Sequence, residues 1–274
     1  MFRPKNVAII GGSGLMGQWF SKLLISNGCK VMISGRRYQR SARIARTLGA
    51  FAAKSNEEAI KGADLVIISV MMRDFERTIR KLAPYLEGNQ RIIDVTSVKS
   101  EPVRLMHRYL GRNLVLGTHP MFGPAAEASG QNFVLTPTNR KEKAFAAEIS
   151  RYLGRMGFNV VVMSPKRHDQ MIGTMLSLTH FVGFVTGDTW RELHIHKFMK
   201  TSSTSFRFLK SFVKSIVDAS PELYSYLQVG VPDAYPAEKE FVKKSMEWAE
   251  LARKGNDKKL RAKMSSLGRY ISRL

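Results

Sequence analysis

His119 stands in the stretch LGTHPMFGP, between Gly117 and Pro120 and directly after the apolar run NLVLG. The proline confines the histidine backbone to extended conformations, and an imidazole with an ordinary pKa of about 6.5 suits a general base near neutral pH. A strand ending here, in a parallel sheet, would put the imidazole on the edge where ligands bind. On these grounds a catalytic and a structural histidine stand level. A second group lies near the start, where Gly12, Gly14 and Gly17 in IIGGSGLMGQWF spell G-x-G-x-x-G after a strand-like run and before a helical one. In that setting the first glycine permits a tight turn, the second lets backbone approach a diphosphate, and the third allows close helix–strand contact. The diphosphate then sits at the positive end of the helix.

Ser13, Leu15 and Met16 complete this cofactor-facing turn, and Ser69 and Val70, ending the later strand ADLVIISV, are placed with it. About 20 residues beyond the glycines, an NAD site carries an acid for the ribose 2′-hydroxyl. This chain has Ser34, Gly35, Arg36 and Arg37 there. No acid is present to repel a 2′-phosphate, and a guanidinium binds phosphate with paired hydrogen bonds. NADP is the expected cofactor, with NAD the alternative.

The elements that must hold these groups follow from periodicity. Apolar runs NVAII, KVMIS, ADLVIISV, QRIIDV, NLVLG and FNVVV alternate with helical segments up to residue 164, the signature of a parallel sheet wrapped by helices. From Pro165 onward the strand signal stops and long helical segments remain. The division expected is therefore 1–164, an α/β dinucleotide-binding (Rossmann-type) domain, and 165–274, an all-α domain. The segment from His168 to Trp190 is apolar nearly all round and is expected to be buried, either in its own core or under a second subunit. A dimer is the favoured reading.

Composition narrows the classes further. In 274 residues, 44% are hydrophobic and the formal net charge is +22. No apolar run approaches the roughly 18 residues a membrane span needs. The opening MFRPKNVAIIGG leaves no room for a signal peptide, so a cytoplasmic location is expected. The basic excess is spread over both halves and shows no nucleic-acid-binding motif. Anionic small ligands are the simpler expectation and nucleic acid is not expected as a partner. The basic C-terminal segment carries Leu260, Met264, Leu267 and Ile271 at helical spacing, which reads as an amphipathic helix. Cys29 is the one cysteine and reads as a small buried residue opening a strand. His194 and His196 alternate in ELHIHKF, but no further ligand type stands near enough to complete a metal site. They read as surface residues, and no metal is expected.

The ordered set GGSGLMG, DVTSVK (Asp94–Lys99), GTHPMFGP (Gly117–Pro124), HDQMIGTMLSLTHF (His168–Phe181) and SFRFLKSFVKSIVDASPELYSYL (Ser205–Leu227) resembles the prephenate dehydrogenase family across nearly the whole chain. The resemblance implies a helical C-terminal domain that forms a homodimer. It implies further that the histidine matching His119 contacts the ring hydroxyl of prephenate, with the serine matching Ser97 beside it. Hydride leaves the carbinol carbon for the nicotinamide, a base takes the hydroxyl proton, and loss of CO2 aromatises the ring. The arginine matching Arg207 binds a carboxylate of the dianionic substrate, and His180 lines the same site. His168 and Asp169 match the family's HD pair, for which a hinge or cap is at least as good a role as catalysis. Where several members carry a basic residue before the helix histidine, this chain has Thr179, which bears on the choice between prephenate and arogenate. The rivals are arogenate dehydrogenase, a β-hydroxyacid or imine reductase, and a non-catalytic NADPH sensor or nucleic-acid binder.

Overall fold

β1 (Asn6–Ile10) is the run NVAII, and its side chains alternate between two apolar layers. Val7 and Ile9 pack with Phe20, Leu24 and Ile67 on one face of the sheet, whereas Ala8 and Ile10 pack with Ile68, Phe75 and Ile79 on the other. A strand covered on both faces reads as an unbroken apolar run because neither face meets water. This computed structural model describes residues 2–218, 221–231 and 234–273. The chain divides into two compact units, one through Asp169 and the other from Gln170.

The first unit continues with β2 (Lys30–Ser34), β3 (Phe51–Ala52), β4 (Leu65–Ile68), β5 (Arg91–Asp94), β6 (Leu114–Pro120), β7 (Asn132–Thr136) and β8 (Asn159–Val162). They form one sheet in the order β3-β2-β1-β4-β5-β6-β7-β8. Its helices are α1 (Leu15–Ser26), α2 (Tyr38–Leu48), α3 (Asn56–Ile60), α4 (Met72–Leu82), α5 (Ser100–Leu110) and α6 (Arg140–Gly154). The strand order reverses between β1 and β4, so the carboxyl ends of these strands open a crevice of the kind that takes a ligand.

The parallel arrangement expected from the alternation holds from β1 to β6 and fails after it. β7 runs antiparallel to β6, and β8 runs parallel to β7. The connection 121–131 contains no helix, and a parallel return requires a long crossover, usually helical. That connection is instead pinned to α1: Trp19 Nε1 donates to Ala126 O at 2.8 Å and the Trp19 ring lies 4.7 Å from that of Phe122.

α7 (Pro165–Met171) contributes His168 and Asp169 to the first unit. In the second unit the chain takes a π-helical course over Ile172–Ser177, with Leu178 N–H bonded to Gly173 O, and then enters α8 (Leu178–Glu192). α9 (Thr204–Val217), α10 (Pro221–Gly230), α11 (Ala234–Arg253) and α12 (Asp257–Ile271) follow. Ser203 Oγ caps α9 by accepting from Phe206 N at 3.2 Å, and Asn256 Oδ1 caps α12 by accepting from Lys259 N at 3.1 Å. Both satisfy amides that the first turn leaves without partners.

The expectation that the apolar segment from His168 to Trp190 is buried is not met within one protomer. Of α8 only His180 and Gly183 are buried, and Met175, in the π-helical turn, is 64% exposed. Gly183 is closed off because a Cβ there would lie 2.5 Å from Ile216 Cδ1 on α9. On α12 the apolar Met264, Leu267 and Ile271 are exposed beside its basic side chains. Among the described residues no helix is long and apolar enough to cross a membrane.

Candidate active site

The glycine turn joins β1 to α1. Gly11 takes the left-handed conformation (φ 84°), and a Cβ on it would lie 2.2 Å from Ser69 O. The turn residue is therefore Gly11, whereas sequence reasoning assigned that role to Gly12. Gly17 behaves as expected: its Cβ would lie 2.6 Å from Gly12 Cα, so only hydrogen lets α1 approach the turn. Gly14 is the N-cap of α1 and has no side-chain cap, and no acid occupies the first turn. The cradle fits a diphosphate, since it offers uncapped amides, open backbone and no competing carboxylate. Ser13, Leu15 and Met16 lie in or beside this turn, and Ser69 and Val70 flank it from the end of β4.

At the tip of β2, Ser34 is buried and its hydroxyl donates to Asn56 Oδ1 at 2.7 Å. Its carbonyl accepts from Gly11 N at 3.1 Å and Gly12 N at 2.9 Å. Ser34 thus braces the glycine turn from below. Arg36 and Arg37 are exposed, and no ion pair engages either among the described residues.

His119 is the penultimate residue of β6 and is only 6% exposed. Its Nδ1 lies 2.8 Å from Nε2 of His168, and His168 Nδ1 lies 2.9 Å from Asp169 Oδ1. Asp169 also accepts from Lys99 N at 2.7 Å and Ser100 N at 2.8 Å, capping α5. Lys99, wholly buried, donates from Nζ to Asp94, to Thr96 Oγ1 at 3.2 Å and to Thr118 O at 2.5 Å. Burial first, and the neighbouring His168 and Lys99 after it, hold His119 well below the ordinary histidine pKa. Burial lowers His168 as well, against the pull of Asp169. Burial works to raise the Asp169 carboxyl, but hydrogen bonds from His168, Ser100 and Lys99 outweigh it and leave the group below its usual value. Burial lowers the Lys99 amine, with the Asp94 charge opposing.

Ser97 sits half-buried in the connection between β5 and α5. Among the described residues it makes no hydrogen bond to His119, whose imidazole is engaged by His168 instead. Lys99 belongs to the SVK motif but sequence reasoning gave it no role, because nothing local shows that a lysine so placed is buried.

In the helical unit His180 is 6% exposed, its ring lies 4.1 Å from that of Tyr224, and its buried Nδ1 has no hydrogen-bond partner among the described residues. Burial lowers its pKa. An unpartnered buried nitrogen is costly and marks a place where a ligand atom would be welcome. Thr179 is exposed and its hydroxyl donates to Met175 O. Arg207, on α9, is exposed and donates to Thr204 Oγ1 at 3.2 Å. His194 and His196 are exposed, with ring centroids 6.0 Å apart. Cys29 is buried, its thiol donating to Pro4 O at 3.3 Å.

Residues 20–162 match the nucleotide-binding domain of prephenate dehydrogenase and residues 164–266 match its dimerization domain. The chain belongs to the prephenate dehydrogenase family. The glycine turn precedes the first matched residue, so its reading stands on the geometry above. Among relatives of this prephenate dehydrogenase family chain, a probable arogenate/prephenate dehydrogenase of Methanocaldococcus jannaschii is 30% identical over 253 residues, covering 90% of this chain and 57% of its own length. The T-protein of Haemophilus influenzae is 26% identical, covering 80% of this chain and 55% of its own. The chain thus spans little more than half the length of these relatives. The fold is shared with Aquifex aeolicus prephenate dehydrogenase, solved with hydroxyphenyl propionate and NAD+, at a TM-score of 0.81 and 22% identity over 99% of both chains. Synechocystis arogenate dehydrogenase superposes with a TM-score of 0.76 and 18% identity, over 98% of this chain and 100% of the other.

Proposed function

We propose that this protein is an NADP-preferring prephenate dehydrogenase of tyrosine biosynthesis, with His119 as the proton acceptor. The observation that carries the reading is His119 itself, a neutral imidazole held at the carboxyl edge of the sheet that also carries the glycine turn. A nicotinamide dinucleotide held by the glycine turn at residues 11–17 would supply the hydride acceptor. His119 takes the proton of the ring hydroxyl as the carbinol carbon is oxidised, and decarboxylation to an aromatic ring provides the driving force. Arg207 meets a substrate carboxylate, for which the planar guanidinium is well shaped, and the free Nδ1 of His180 meets a polar atom of the substrate. Ser97 is assigned to the catalytic group with His119, and Thr179 to the substrate-binding group with Arg207 and His180. Arg36 and Arg37 receive the 2′-phosphate that distinguishes NADP from NAD. The exposed apolar surface of the helical unit, together with its match to a dimerization domain, supports a homodimer.

Oxidation of arogenate is the second reading. It is favoured by Thr179, which puts a neutral residue directly before His180 in the sequence, and by relatives named for arogenate as well as prephenate. Incubation of the purified protein with each substrate and each nicotinamide in parallel tests both. Reduction of NADP with release of 4-hydroxyphenylpyruvate from prephenate is the expected result; product from arogenate alone would install the second reading. In the competent reaction His119→Ala lowers kcat by about 100-fold, the usual scale of general base catalysis. A loss under about threefold would remove His119 from the chemistry.

A further inference from the structure

His119, His168 and Asp169 form a single file of hydrogen bonds, and the proton inventory of that file has one solution. Asp169 already accepts from two backbone amides, Lys99 N and Ser100 N. A carboxylate in that position only accepts, so the proton in its contact with His168 belongs to His168 Nδ1. The buried His168 ring then presents a bare Nε2, and the proton between the two rings must come from His119 Nδ1. What remains on His119 is Nε2 with its lone pair.

We propose that His168 and Asp169 are positioning residues that lock His119 in the Nδ1–H tautomer and so make Nε2 the base of the reaction. The proposal rests on the assignment of His119 as proton acceptor but makes a claim about its free state. When Nε2 takes the substrate's hydroxyl proton, no other bond in the file breaks. The imidazolium keeps donating from Nδ1 to His168, whose own Nδ1–H points at the Asp169 carboxylate, and the new charge is stabilised along the file. Oriented groups of this kind act at no reorganisation cost at the moment of reaction. By capping α5, the same carboxylate also ties the Ser97–Lys99 connection to the histidine pair. The charged or titratable groups that face His119 are His168, Lys99 and, one step removed, Asp169 and Asp94.

The decisive measurement is the 15N spectrum of the protein labelled at histidine, without substrate, with the His119 signals identified by their loss in His119→Asn. Protonated Nδ1 and bare Nε2 on both His119 and His168 is the expected result, and a His119 protonated at Nε2 overturns the proposal. Because no substrate is present, this readout is independent of whether prephenate, arogenate or neither is oxidised. Kinetics with the competent substrate supply the second readout. His168→Phe removes the acceptor and lowers kcat by at least about tenfold at nearly unchanged KM, whereas His168→Gln, whose carbonyl accepts from Nδ1–H, stays within about threefold of the parent. Equal losses in the two variants would overturn the proposal, and if neither folds the spectrum of the parent protein decides.

Discussion

At the scale of single residues the controlling fact is that His119 is buried beside a lysine and a second histidine. All three influences disfavour the imidazolium, so the ring proposed as the base is unprotonated further into acid than a free histidine would be. Activity is lost as pH falls through the pKa of the base in the free enzyme. The acid limb of kcat/KM is therefore expected below about pH 6.5, and a limb centred above that value would contradict the burial of the ring. Arg36 and Arg37 belong to the same scale. Both are exposed, so the phosphate contact proposed for each is screened by solvent. The double variant Arg36→Ala/Arg37→Ala should raise the KM for NADP by about tenfold while changing that for NAD by less than about twofold, as parallel titrations of the two nucleotides would read.

At the scale of elements, the connection from β5 into α5 carries the site. Asp94 ends the strand, Lys99 is the residue from which the helix starts, and their side chains meet without solvent while Lys99 also reaches Thr118 O on β6. The value of such a pair lies less in net stability than in the cost of breaking it, since the buried carboxylate, though it keeps hydrogen bonds from Thr96 and Thr118, is left without a counter-charge. Lys99→Met should destabilise the protein by about 3–5 kcal/mol, measured by urea unfolding. A cost below about 1 kcal/mol would mean that the carboxylate of Asp94 is rehydrated or protonated in the variant.

At the scale of the molecule, three histidines, His119, His168 and His180, are buried with lowered pKa values. A histidine whose folded pKa lies below its unfolded value binds a proton on unfolding. Its contribution is complete above the unfolded value of about 6.5 and drains away as pH falls beneath it. The melting temperature is expected to hold near about pH 7.5 and to fall by about pH 5.5, with a smaller fall in His180→Phe. The exposed apolar residues of the helical unit, among them Met175, Phe208 and Val229, call for a partner surface. Light scattering should return twice the mass of one chain, and a monomer at micromolar concentration would leave those side chains unexplained.

Much of the molecule is legible in the chain alone. Period-two and helical patterns are local, so the strands NVAII and KVMIS, the glycine cradle and the helical second half could be read directly, and the motifs around His119 and His180 were enough to suggest the family. The left-handed turn fell at Gly11 instead of Gly12, because which of two adjacent glycines bends depends on how closely Ser69 approaches from another strand. The reversal at β7 and the burial of Lys99 were likewise matters of packing. His119 and His168 stand 49 residues apart, and no spacing rule connects them. The types of chemical group available were set by the sequence itself; which nitrogen of His119 is left free was decided only when α7 brought His168 and Asp169 against β6 and α5, because a hydrogen-bond file exists only between atoms that tertiary packing holds within about 3 Å.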